Sequence, residues 1–87
     1  MARNGKGSNV MALGDSDAMR YAMKSRGITQ IVLADKLGIK QSGLSGSLNR
    51  KRTTMDVFKR TLDAMEYDVA VVDRRTGEIL CKVAPEE

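Results

Sequence analysis

The stretch Gly27–Asn49, GITQIVLADKLGIKQSGLSGSLN, decides how this chain folds, because its apolar residues fall at the spacing of two short helices parted by a glycine. Leu33, Ala34 and Leu37 recur three and four apart, which sets them on one face of a helix. Thr29 precedes that run, and its hydroxyl can accept from the free N–H groups of a first turn. Gly38 follows it, and glycine enters the left-handed conformation without a Cβ penalty, so the helix is expected to end there. Ile39 then turns back toward the core, and a second helix opens near Gln41 with Leu44 and Leu48 as its buried pair.

This second helix is poor by propensity. Gly43 and Gly46 stand in its interior among Ser42, Ser45 and Ser47, and each interior glycine costs about 1 kcal/mol relative to alanine. Such a segment folds only by docking Leu44 and Leu48 onto its neighbours. Its outer face would then carry Gln41, Ser42, Ser45, Gly46 and Asn49, a flat surface of small groups rich in hydrogen-bonding atoms and open to close approach.

Working outward, a first helix is expected from Asp15 or Ser16 to Arg26, with Met19, Ala22 and Met23 inside and Gly27 ending it. A fourth follows the Thr53 and Thr54 cap, and its apolar positions Met55, Phe58, Leu62 and Met65 recur at helical spacing and should close the core. After Tyr67 the period changes to that of strands. DVAVVDRRTGEILCKV, residues 68–83, reads as a hairpin with strands at Val69–Val72 and Glu78–Val83 and its turn at Arg74–Gly77. Val69 and Val71 would share one face, and Ile79, Cys81 and Val83 would alternate with Leu80. Cys81 is read as a small buried hydrophobe. The expected fold is thus mainly α with a C-terminal β-hairpin, divided into an arm over residues 1–14, a helical domain over 15–66 and the hairpin over 67–84.

Gly27–Asn49 resembles the helix-turn-helix of the lambda repressor and Cro group of phage and bacterial regulators, and the run ADKLG followed by IKQSG carries the likeness over about a quarter of the chain. The resemblance implies a lambda-repressor-like, four-helix DNA-binding domain whose second motif helix enters the major groove, a docking mode for which this family is itself a standard example. It places Gln41 and Ser42 at base-reading positions, Gln30 at the phosphate-binding start of the preceding helix and Asn49 at a backbone contact. The chemistry agrees, since a glutamine amide can both donate to and accept from the adenine edge, and a serine hydroxyl can serve either partner. Gln30 could also brace Gln41. Ser45 and Gly46 complete the candidate base-contacting face. Ile31 and Val32 depart from the lambda-like pattern, which is polar there; they are expected to pack beneath Val10 and Leu13, with a contact to another protein as the alternative.

Charge follows the motif. Residues 1–67 hold 12 Lys and Arg against 6 Asp and Glu, whereas residues 68–87 hold 3 against 5, within a total of +4. Lys40 stands just ahead of the second motif helix and Arg50, Lys51 and Arg52 just behind it, where neutralising phosphates would supply sequence-independent affinity. With Gln30 and Asn49 these are the candidate phosphate contacts. Arg3 and Lys6, in the glycine-rich opening residues, could reach a groove as part of an arm. The 87-residue chain is near the size at which a single core becomes marginal. A homodimer is therefore expected, paired through the hairpin residues Val69, Val71, Ile79 and Cys81.

The composition speaks against an enzyme. With no histidine, one cysteine and three aromatic residues, the chain lacks the usual parts of a zinc cluster, an imidazole-based triad or an aromatic cofactor stack. No catalytic residue, metal or cofactor is expected. Neither a signal peptide nor a membrane span is apparent, so a cytoplasmic location is expected. The residues and the resemblance together point to a transcriptional regulator, a repressor of a phage, prophage or mobile element, binding double-stranded DNA at an inverted-repeat operator as a dimer. An antitoxin that autoregulates its operon and binds a toxin is a close variant, and an adaptor that binds protein without reading DNA is the alternative of another class.

Overall fold

The computed structural model describes residues 11–50 and 53–85. Four helices, α1 (Asp15–Arg26), α2 (Gln30–Leu37), α3 (Gln41–Asn49) and α4 (Met55–Ala64), precede an antiparallel hairpin of β1 (Val69–Val72) and β2 (Ile79–Val83). The expected arm residues Arg3 and Lys6, and the cations Lys51 and Arg52, lie outside the described residues.

Two of the helix ends are built alike. Gly27 after α1 and Gly38 after α2 take φ of 67° and 70°, in the left-handed region. In each case two N–H groups fold back onto the last turn: Gly27 and Ile28 donate to Lys24 O and Met23 O, and Gly38 and Ile39 to Asp35 O and Ala34 O. Carbonyls that the helix would leave orphaned are thereby satisfied. Thr29 and Thr54 open α2 and α4, their hydroxyls accepting from the N–H groups of Val32 and Val57 at 3.3 and 3.2 Å. Gly14 caps α1 without a side-chain bond. Asp15, the first residue of α1, reaches across to accept from Thr53 N–H at 3.3 Å.

The core lies between the helices. Met19 and Met23 of α1, Leu33 and Ala34 of α2, Leu44 and Leu48 of α3, and Leu62 with Met65 at the end of α4 are all buried, and Ile28, Leu37, Phe58, Tyr67 and Val69 pack around them. Two expectations fail here. Met55 is 60% exposed; it is the first residue of α4, and the inward position one turn and more further on is taken by Thr61, which is buried. Ile39 turns only part of the way in, borders a small cavity with Leu37, Leu44 and Val57, and remains about half exposed.

The end of α4 uses a different device. Glu66 adopts φ of 65° with a Cβ in place, a conformation that costs non-glycine residues about 1–2 kcal/mol. Arg26 holds this turn, its Nε donating to Met65 O at 2.9 Å and its Nη2 to Glu66 O at 3.1 Å, while its guanidinium lies 4.1 Å from the centroid of the Tyr67 ring. The clamp ties the end of α1 to the turn that leads into the hairpin.

In the hairpin, Asp73 and Glu78 frame the turn. Asp73 Oδ1 accepts from Arg75 N–H, and Gly77, at φ of 79°, donates to Asp73 O at 2.7 Å. Val69 pairs with Val83, Ala70 with Lys82 and Val71 with Cys81, after which a bulge shifts the register so that Val72 meets Ile79. Ile79 is therefore out of step with Val71 and Cys81, and the single apolar face expected for Val69, Val71, Ile79 and Cys81 is not formed. Only the base of the hairpin is sheltered: Val69 and Val83 are half-buried, whereas Val71, Val72, Ile79 and Leu80 are exposed. Cys81 is exposed as well, contrary to its reading as a buried hydrophobe, because it lies on the part of the ribbon beyond the helices' cover.

Candidate functional site

The outer side of α3 is where the sequence placed the site, and its residues do lie at the surface. Leu44 and Leu48 turn inward at 1% and 2% exposure, while Gln41, Ser42 and Asn49 are exposed and Ser45 and Gly46 half-buried. Lys40 and Arg50 flank the helix as its N-cap and C-cap residues, both exposed. At 1.5 Å per residue a helix of nine residues is about 13 Å long, close to the roughly 12 Å width of a B-DNA major groove. α3 thus carries an exposed cation at each of its ends.

Gly43 and Gly46 are the informative residues. Both sit in the body of α3, neither has a positive φ, and a Cβ built on either meets no heavy atom of its surroundings within 4 Å. The fold would accept alanine at both positions and gain helix propensity from it. Among the described residues, packing does not require their smallness.

The helix that bears them has little local support. Lys40 makes no side-chain cap, the first turn lacks an acid and the last a base, and Arg50 leaves in extended conformation without the glycine that closes α1 and α2. Its C-terminal carbonyls are instead received by α1. Ser16, buried on the same face as Met19 and Met23, has its one hydroxyl proton within reach of two carbonyl oxygens, Ser47 O at 3.4 Å and Arg50 O. Arg20 donates through Nη2 to Leu48 O at 3.1 Å and to the side chain of Asn49 at 2.7 Å. Sequence reasoning missed both donors. A polar Ser16 in phase with the buried Met19 and Met23 was the available signal for one; nothing local marked Arg20.

Gln30 is half-buried at the start of α2. Among the described residues no hydrogen bond joins it to Gln41, so the expected brace between the two amides is not formed. Ile31 and Val32 are 65% and 47% exposed, and Leu13 is 43% exposed. The expected packing of Ile31 and Val32 beneath Leu13 is therefore absent, and Val10 lies outside the described residues. Val32 instead borders a surface groove with Ile28, Met65, Arg26 and Lys36.

Among the described residues, no helix is long and apolar enough to cross a membrane, and no group of three metal-ligating side chains converges. Comparison of the chain with protein-family models, with curated proteins and with solved structures returns no match in any of the three.

Proposed function

We propose that this chain is a sequence-specific double-stranded DNA-binding regulator of the lambda repressor and Cro type, which places α3 in the major groove and represses by occupying an operator. The observation that carries the reading is the pair Gly43 and Gly46, whose missing side chains cost helix stability and relieve no crowding among the described residues. Bulk is absent from the exposed side of a helix whose ends carry Lys40 and Arg50, and a nucleic-acid groove is the partner that such closeness and charge fit. Gln41 and Ser42, with Ser45 and Gly46 beside them, read base edges in this proposal. Gln30, Lys40, Asn49, Arg50, Lys51 and Arg52 contact phosphates, and Arg3 and Lys6 belong to an arm. The protein is a cytoplasmic regulator with neither catalytic activity nor cofactor.

The same proposal includes a two-fold dimer on an inverted repeat, its half-sites about one helical turn apart. An isolated two-stranded hairpin is marginal in water, and this one leaves Val71, Ile79, Leu80 and Cys81 uncovered beside open strand edges. A second copy would cover them. Sedimentation of a chain ending after Glu66 tests this: a monomer is expected, and an unchanged dimer would exclude the hairpin as the interface.

The central test is fluorescence anisotropy on random duplex at several salt concentrations, followed by selection of bound sequences. A linear fall of log K with log salt is expected, with a palindromic consensus in which Gln41→Ala relaxes one base pair per half-site. Negligible affinity without a salt slope would favour the adaptor. Exposed Ile31 and Val32 favour one addition, a protein partner such as a toxin held on α2; Ile31→Lys should abolish that complex while sparing duplex binding.

A further inference from the structure

We infer that Arg20 is a positioning residue for Asn49: by engaging the carboxamide oxygen it turns the amide donors outward, so that the C-terminal end of α3 offers only donors to a DNA phosphate. The inference rests on the DNA-binding reading above and assigns a role to a residue of α1 that lies outside the helix-turn-helix motif.

The geometry fixes which end of Asn49 faces which way. Arg20 Nη2 lies 2.7 Å from Asn49 Oδ1. A guanidinium has donors and no acceptor, so the atom opposite it must be the oxygen, and the two N–H bonds of Nδ2 project from the other side of the group. Asn49 is exposed, so those donors are accessible from solvent. Without such an anchor the terminal amide torsion is broad and nearly two-fold. An unanchored Asn49 would present its oxygen to an anion about as readily as its N–H groups, and an oxygen facing a phosphate is repulsive.

A second bond makes the anchor rigid. The same Nη2 donates to Leu48 O at 3.1 Å, so Arg20 is fixed to the backbone of the helix whose side chain it orients. A cleft between the start of α1 and the end of α3 is lined by Asp17, Arg20, Asn49 and Arg50 among others. Asp15 is occupied with Thr53 N–H, and Asp17, the acid on the α1 wall, would repel a phosphate toward Asn49 and Arg50. Position, polarity and charge therefore converge on one side of the cleft.

The test uses the full chain and a random-sequence duplex of about two helical turns, with anisotropy read over a series of salt concentrations and a melting curve for each variant. Arg20→Ala and Asn49→Ala should each weaken binding about tenfold, the size of one charge-assisted hydrogen bond. The double variant should bind no more weakly than either single one, because the two residues act as a unit. The slope of log K against log salt should stay at the wild-type value, since neither change removes a cation in contact with phosphate. Asn49→Ala retains the Arg20 bond to Leu48 O, so it probes the carboxamide with the end of α3 intact. Asn49→Asp should bind more weakly still.

Three results would overturn the inference while leaving the DNA reading standing: additive losses in the double variant, Asn49→Ala binding like wild type, or a slope reduced by about 0.9 in Arg20→Ala, which marks a direct phosphate contact. Failure of the wild-type chain to bind the duplex would overturn both.

Discussion

α2 and α3 are neighbours of nearly equal length, eight and nine residues, yet they are held in opposite ways. α2 writes its own limits: Thr29 caps its start, Gly38 closes its end, and no glycine lies between. α3 has neither device, carries two glycines, and depends on Leu44 and Leu48 within the core and on Ser16 and Arg20 of α1. The composition of a helix whose interior residues oppose its own formation is not accounted for by folding alone. The contrast between a self-specified helix and a borrowed one yields a ranked set of expectations.

The largest concerns the borrowing itself. Leu48→Ala should destabilise the chain by about 2–5 kcal/mol, the range for truncating a fully buried leucine, because α3 is held chiefly by docking Leu44 and Leu48. Urea denaturation measures it; a loss under 1 kcal/mol would mean that α3 is less dependent on docking than its sequence implies. Next comes the device that α2 has and α3 lacks. Gly38→Ala puts a Cβ on a residue at φ of 70°, and a loss of about 1–2 kcal/mol is expected from that conformation alone, since nothing crowds the new methyl. Thr29→Ala should cost about 1 kcal/mol through the lost cap. The same assay orders the two, and the reverse order would show that the cap, not the left-handed turn, limits α2.

How much of this was legible in the sequence follows the same division. The limits of α1 and α2 could be read because glycine and threonine mark them chemically, and the inward face of α3 because Leu44 and Leu48 are four apart. The outward direction of Gln41 and Ser42 came with it. What escaped were features set by one element lying against another. Arg20 meets Asn49 across 29 positions of chain, a contact that exists only once α1 has crossed the end of α3. Arg26 holding the turn at Glu66 is of the same kind, and without a glycine at residue 66 nothing local marks a left-handed residue there. In the hairpin the alternation of apolar residues was visible, but the bulge after Val71 was not, and one extra residue suffices to put Ile79 out of step with its expected companions. Period alone puts Cys81 and Met55 in the interior, whereas exposure depends on how far neighbouring elements extend to cover them.

The smallest expected stability change carries the most weight for function. Gly46→Ala should stabilise the chain by about 0.5–1 kcal/mol, because alanine both favours helix and restricts the unfolded chain, and among the described residues its methyl would meet no atom beyond the backbone of its own helix within 4 Å. Gly43→Ala should behave alike. In most helices such a gain would be free of cost. Here the added methyl occupies the space through which α3 is proposed to approach DNA, so the more stable variant should be the weaker binder. A rise in urea midpoint together with a fall in duplex affinity is the expected outcome. Gains in both would mean that the glycines are incidental and that the weakness of α3 has no bearing on what it contacts. Loss of stability would point instead to a close neighbour of α3 in the folded protein, such as a second copy of the chain, against which only glycine fits.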